Sequence, residues 1–422
     1  LPTKLHRQAD MQQAVYIAGR GAISAIGKNR KENLEALKKG ETGIGSIRYL
    51  STVHAGLFPA GEVKADNEEL SKIAGWTGTN SRSSLLGFIA AREALQEAGL
   101  MEGNKVRHTV SGKRLKIGLI SSTTVAGMDL TENFFPAFLE NRKAGKLRMV
   151  RQHEGGATTE RIAQALGIRD YVNTISTACS SSANAILLGA RLLKAGELDV
   201  VIAGGTDALS KFTLNGFNTL MILDQQLCQP FDQNRRGLNL GEGAGFLVLV
   251  GEKAAELLGG NYRVRVAGYA NANDAHHQTA SSPDGTGSFL AMKGALEMAG
   301  IAPDQVGYIN LHGTGTQNND SSESIAIERV FGNRYPAMST TKGYTGHTLA
   351  ACGGLEAIYS CFSLEQQLLF PCLRIQHPVI ETPGVVVTEL RTVSGLQHVL
   401  SNSFGFGGNC SSLLFSLRYS CI

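Results

Sequence analysis

Two stretches of this chain read alike: Ala91-Arg-Glu-Ala-Leu-Gln-Glu-Ala-Gly-Leu100 and Met292-Lys-Gly-Ala-Leu-Glu-Met-Ala-Gly-Ile301. Each is rich in strong helix formers and ends at a glycine suited to a helix C-cap. Each is followed by a polar segment and then a strand-like run, at 117–121 in one copy and 308–311 in the other. A repeat of this size points to two related halves, each of which must place a helix and a strand in the same relation.

Around these repeats, strand-like runs of β-branched and apolar residues lie at 15–18, 116–121, 200–204, 245–250, 264–267 and 307–311, most of them bounded by Gly, Ser or Asn. Helical patterns fall between several of them, at 84–98, 183–195, 289–299, 320–331 and 355–367. The alternation predicts an α/β fold with a mainly parallel sheet covered by helices. With 50 glycines against 10 prolines and 18 % charged residues, the chain has the composition of a tightly turned globular protein, not a disordered one. We read residues 1–10 as a leader or appended extension, 11–260 as the first half and 261–422 as the second. The polar stretch 131–156 reads as an excursion from the core.

Several function classes are excluded early. No apolar run of about eighteen residues occurs and residues 1–14 are polar, so neither a membrane span nor a secretory signal is expected. The 7 cysteines (179, 228, 352, 361, 372, 410 and 421) form no CxxC pair and no Cys/His zinc spacing. Reduced thiols in the cytoplasm and no bound metal are expected. A net charge of +4 is too slight to suggest nucleic acid.

The candidate nucleophile is Cys179, in Ile175-Ser-Thr-Ala-Cys-Ser-Ser-Ser-Ala-Asn-Ala-Ile186. It follows a short extended segment and precedes a long helix, where backbone N–H groups stabilise negative charge and favour a thiolate. The small neighbours Ala178, Ser180, Ser181 and Ser182 would let a thioester approach. Two further segments offer partners. Asn310-Leu-His-Gly-Thr-Gly-Thr316 turns at His312, and Ser339-Thr-Thr-Lys-Gly-Tyr-Thr-Gly-His347 presents Lys342 and His347. Both are small-residue loops after strands, where α/β folds build sites.

Taken together, Thr-Ala-Cys-Ser-Ser, His-Gly-Thr-Gly-Thr and Thr-Lys-Gly-Tyr-Thr-Gly-His resemble the Cys-His-His set of elongating β-ketoacyl-acyl carrier protein synthases. The resemblance runs from Val15–Gly27 to Ser401-Asn-Ser-Phe-Gly-Phe-Gly-Gly408, and includes Pro230-Phe-Asp232 with Arg235 and Gly241-Glu-Gly-Ala-Gly245. It implies a thiolase-like fold, with two duplicated halves in five layers α-β-α-β-α, and a homodimer.

The same resemblance makes Cys179 the acyl-accepting nucleophile and sets His312 and His347 about the malonyl thioester carbonyl, with Lys342 in the catalytic set. It implies a backbone oxyanion hole from Cys179 and Phe406, the latter also a gate. Thr314, Thr316 and Phe404 would contact substrate, and Glu356, Asp320 and Glu323 would support the loops; Asp274 and His277 keep the family spacing with structural roles. The reaction implied is decarboxylative Claisen condensation of malonyl-acyl carrier protein with the acyl group on Cys179, in fatty acid elongation. It needs no cofactor. The acidic carrier protein is the implied partner, and Arg142-Lys-Ala-Gly-Lys-Leu-Arg-Met-Val-Arg151 is either its docking strip or a solvated helix face.

Some positions depart from the family pattern. Gly407-Gly-Asn-Cys410 stands where Gly-Gly-Thr-Asn is common, Ala350 where glycine is frequent, and Cys352 and Gly354 where alanine is frequent. Such changes bear on the substrate pocket more than on the condensation. The alternatives are a specialised ketosynthase of a polyketide or aryl polyene pathway and, less favoured, a non-catalytic chain-length-factor subunit. A degradative thiolase fits less well, because that class pairs its nucleophile with a second catalytic cysteine.

Overall fold

The structure, a computed structural model, describes residues 14–380 and 385–418. The leader read at 1–10 and Cys421 lie outside the described residues. In chain order the main elements of the first half are β1 (Val15–Ser24), α1 (Arg82–Glu97), β2 (Ile117–Ser122), α2 (Gly155–Leu166), β3 (Tyr171–Ile175), α3 (Ser181–Lys194), β4 (Val200–Asp207) and β5 (Gly243–Gly251), with further helices in the connections. The second comprises β6 (Val264–Asn273), α4 (Thr286–Ala299), β7 (Tyr308–Asn310), α5 (Gln317–Phe331), β8 (Ala337–Ser339), α6 (Cys352–Gln366), β9 (His398–Gly405) and β10 (Asn409–Leu417).

The strand order repeats. The first half runs β3-β2-β4-β5-β1 and the second β8-β7-β9-β10-β6. The two meet edge to edge where Val15 and Tyr16 pair with Val266 and Arg265, giving one ten-stranded sheet. The echoed helices are α1 and α4, and they end alike. Gly99 (φ 66°) and Gly300 (φ 65°) adopt the left-handed conformation that glycine tolerates. Their N–H groups reach the carbonyls of Gln96 and Glu297, and the next N–H groups, of Leu100 and Ile301, reach Leu95 and Leu296.

The sheet is not mainly parallel, and this corrects the sequence expectation. β2 pairs in parallel with β3 and β4, and β7 with β8 and β9, but every other junction is antiparallel. Helical crossovers produce parallel neighbours, whereas β9 and β10 are joined by a tight turn at Phe406–Gly408 that reverses the chain. The short extended segment expected before Cys179 is β3, whereas β9 and β10 lie outside the strand-like runs read from the sequence.

α3 and α6 lie between the halves, where each packs on strands of its own half and of the other. This gives the expected five layers. α6 is buried continuously from Cys352 to Leu364. The halves approach closely because β5 and α6 meet at glycines. A Cβ on Gly245 would stand 2.5 Å from Leu355 N, and one on Gly354 2.4 Å from Gly245 O. The excursion after β2 forms a helix at Met128–Glu140 and a 3₁₀ helix at Leu147–His153.

Candidate active site

Cys179 stands two residues before α3, with Ser180 as N-cap residue, and is buried. The turn is sharp: Ala178 has φ 52°, a left-handed conformation costly for a residue with a Cβ. Side chains hold it there. Ser181 Oγ accepts from Thr177 N–H (2.8 Å) and donates to Ala178 O (2.5 Å). Gly405, which leads into Phe406, packs directly on this turn; a Cβ there would lie 2.8 Å from Thr177 O and 3.2 Å from Cys179 N. Asn409 ties the same two segments, its Oδ1 accepting from Ser180 Oγ (2.7 Å), Asn184 Nδ2 (2.9 Å) and Asn271 Nδ2 (2.7 Å).

His312 follows β7. Its turn hangs on two buried carboxylates from the first two turns of α5. Glu323 accepts from the N–H groups of His312 and Gly313, both at 2.9 Å, and Asp320 accepts from Thr314 N–H at 3.0 Å and from Gly315 N–H at 3.1 Å. Burial pushes the Glu323 carboxyl up to about 7, against the hydrogen bonds that favour its charge. Burial also raises Asp320, with Arg235 3.6 Å away opposing it.

Lys342, fully buried, donates to His312 O (2.6 Å) and to Glu356 Oε1 (2.5 Å), and lies 3.3 Å from His312 Nδ1. Burial disfavours the ammonium, but the Glu356 carboxylate outweighs it and Lys342 is held above its usual range. Burial, then the Lys342 charge, then His347 drive His312 well below the usual imidazole range. His312 is therefore neutral at pH 7. With a lysine N–H at Nδ1, its proton sits on Nε2. His347 Nδ1 likewise accepts from Leu349 N–H (3.1 Å), which leaves its Nε2 as the donor. The rings stand edge to face, 5.7 Å apart.

The ligating atoms of Cys179, His312 and His347 lie within 4.8 Å of one another, so the trio has the outline of a metal site. Its surroundings have the wrong polarity for one. A metal-bound imidazole normally donates its remote N–H to an acceptor; here both Nδ1 atoms face donors. The arrangement instead presents two N–H donors beside a sulfur nucleophile, suited to stabilising an oxyanion.

Cys179, His312, His347, Thr314, Thr316, Phe404 and Phe406 all line one pocket of about 350 Å³. Phe406 stacks on Phe217 (5.8 Å, 21°), and Phe404 lies 5.8 Å from His312. Lys342, Glu356, Asp320 and Glu323 do not line it; Lys342 lies behind His312 and reaches the pocket only through that ring. Asp274 binds the Phe406 loop from outside, its N–H donating to Gly408 O (3.1 Å). Sequence reasoning missed Phe217, Met221 and Arg236 as lining residues: they lie in the connection between β4 and β5, and it is the folding of that connection over the site, not a local pattern, that brings them to the pocket. The basic strip is exposed but not helical over 142–146, and is 3₁₀ at Leu147–His153.

A doubled five-stranded half, two helices sandwiched between the halves, and a cysteine with two imidazole donors define a thiolase-fold condensing enzyme, an acyltransferase. The family description Beta-ketoacyl synthase, N-terminal domain, matches residues 12–255, and Beta-ketoacyl synthase, C-terminal domain, matches 263–376. The chain belongs to the β-ketoacyl synthase family. It is 32 % identical to 3-oxoacyl-[acyl-carrier-protein] synthase 2 of Staphylococcus aureus (strain N315), over 95 % of this chain and 97 % of that one. The protein of the same name from Vibrio cholerae is 31 % identical over 96 % and 99 %. Among solved structures, the ishigamide ketosynthase/chain length factor superposes with TM-score 0.88 at 27 % identity, covering 96 % of this chain and 100 % of that one. A ketosynthase in complex with its chain length factor, from Xenorhabdus doucetiae, gives 0.79 at 30 % identity over 99 % and 100 %.

Proposed function

We propose that this protein performs the decarboxylative condensation of fatty acid elongation, joining malonyl-acyl carrier protein to an acyl group held on Cys179. The observation that carries the assignment is the pair of Nε2–H donors of His312 and His347 facing the Cys179 sulfur. An acyl group passes from its carrier thioester to the Cys179 thiolate, and the carrier thiol leaves. Malonyl carrier then enters. The two imidazoles donate to its thioester carbonyl as the bond to the carboxylate breaks, so that carbon dioxide departs and the electron pair becomes an enolate. The enolate carbon attacks the acyl carbonyl, whose developing charge is taken by the N–H groups of Cys179 and Phe406, and the Cys179 sulfur is released. Thr314, Thr316 and Phe404 contact the pantetheine arm on which the carrier protein bears its thioester, and Lys342, Glu356, Asp320 and Glu323 act as positioning residues.

We further take the chain as two thiolase-like halves, 11–260 and 261–422, supported by the repeated strand order. We infer a homodimer: β3 has one unpaired edge among the described residues, and Phe135, Leu139 and Phe212 are exposed on two helices packed together. The exposed strip Arg142–Arg151 suits an acidic carrier protein. A cytoplasmic setting agrees with six described cysteines that are all free. Among the described residues no helix is long and apolar enough to cross a membrane.

A second reading, a ketosynthase of a polyketide or aryl polyene pathway paired with a chain length factor, is favoured by the two structural relatives named above. Intact-protein mass spectrometry with a panel of acyl carrier thioesters, followed by malonyl carrier, separates the readings by chain preference. Cys179→Ala should abolish acylation; wild-type protein that stays unmodified across the panel would sink autonomous catalysis.

A further inference from the structure

Apart from the Cys179–His312–His347 trio, the active-site pocket is lined by apolar, hydroxyl and amide side chains with a single exception, Arg236. Its backbone is fixed. The next residues pair back across the connection, Leu238 N–H to Ile222 O (2.9 Å) and Asp224 N–H to Leu238 O (2.9 Å), and a Cβ on Gly237 would come within 2.6 Å of Ile222 O.

Its guanidinium is held by one nitrogen: Nη2 donates to Asp224 Oδ1 (3.1 Å) and Gln226 Oε1 (2.7 Å). Asp224 is buried while the Arg236 side chain is half-exposed, so the carboxylate sits beneath and the cation faces the pocket. Among the described residues Nε and Nη1 have no hydrogen-bond partner, which leaves three N–H donors on two nitrogens of a rigid fork unspent. Other parts of the lining are neutral and fixed: Ser281 N–H donates to Asn318 Oδ1 (2.8 Å) and Asn318 Nδ2 to Ser281 O (3.2 Å).

A half-exposed arginine anchored at one nitrogen in an otherwise uncharged pocket is arranged for an anion that enters with the substrate. We propose that Arg236 receives the phosphodiester of the phosphopantetheine arm, and so makes the enzyme select thioesters carried on a phosphorylated arm. The inference rests on the condensing-enzyme reading for the identity of the arm, and its chemistry is that of guanidinium with phosphate oxygens. Carboxylates on the carrier protein's surface are the competing source of negative charge.

The test compares Cys179 acylation by one acyl group presented on pantetheine, on phosphopantetheine and on intact carrier protein. Wild-type enzyme should prefer phosphopantetheine over pantetheine. Arg236→Gln, which removes the charge and keeps an amide donor, should reduce that preference about tenfold, the size expected for a charge-assisted contact that is partly solvated, and Arg236→Lys should restore part of it. Added salt should shrink the wild-type preference but not that of Arg236→Gln. An unchanged preference in Arg236→Gln overturns the proposal. So does a loss confined to the carrier-borne substrate, which would place Arg236 against the carrier protein. Wild-type enzyme that accepts none of the three would instead sink the condensing reading itself.

Discussion

Replacing Lys342 with Met separates two jobs that one ammonium performs. The side chain is buried 2.5 Å from Glu356 Oε1 and 3.3 Å from His312 Nδ1, and Glu356 Oε2 already lacks a partner. Removing the cation strands a buried carboxylate, a change that typically costs about 3–5 kcal/mol. At about 2.1 cal/mol/K of unfolding entropy per residue, a chain of 422 residues should lose roughly 3–6 °C in Tm. The second job is chemical. Without an N–H at Nδ1, His312 is free to move its proton there and turn an acceptor toward the pocket, so malonyl thioester decarboxylation should fall about 10²–10³-fold. The double variant Lys342→Met/Glu356→Gln removes the stranded charge and should recover most of the Tm but little of the rate. The same variant should become more sensitive to Zn²⁺, because His312 Nε2 can then ligate. Calorimetry and carbon dioxide release measure the two effects separately. Recovery of both Tm and rate in the double variant would refute the tautomer argument and leave Lys342 a mere counter-ion.

The buried Glu323 gives a pH signature. Its folded value, raised to about 7, exceeds the unfolded one near 4.5, so its contribution to stability is full below about pH 4.5 and is lost as pH rises toward 7. Glu323→Gln should therefore gain on wild type by up to about 3 kcal/mol between pH 4.5 and 7.5, read from denaturant midpoints; a pH-independent difference would contradict this. Gly354→Ala should reduce soluble yield and Tm sharply, since the added methyl meets Gly245 O at 2.4 Å with backbone on both sides; a Tm within a degree of wild type would show that α6 can shift. Asn409→Ala removes the acceptor of two hydrogen bonds, from Ser180 and Asn184, that tie the Cys179 turn and α3 to the Phe406 loop, and of a third from Asn271 on β6. Acylation should slow about tenfold or more, while Asn409→Asp, which keeps the oxygen, should retain more activity; equal losses would deny the oxygen this role.

The chemical groups of the site were legible in the sequence because each sits in a short run whose spacing is local. Cys179 precedes a helix, and His312 and His347 follow strands in glycine-rich turns. The duplication was legible too, since α1 and α4 carry the same helix and the same capping glycine. What the chain order hid was anything decided by distant pairing. The sheet's direction depends on whether neighbours are joined by a crossover or a turn, and periodicity inside one strand does not report its partner. The polarity around the imidazoles came only from tertiary structure: Lys342 reaches His312 across thirty positions of sequence, and which nitrogen it faces makes the trio a pair of donors instead of a metal site. Arg236 was invisible for the same reason. Local pattern determined which groups this protein owns; long-range packing decided which way they face.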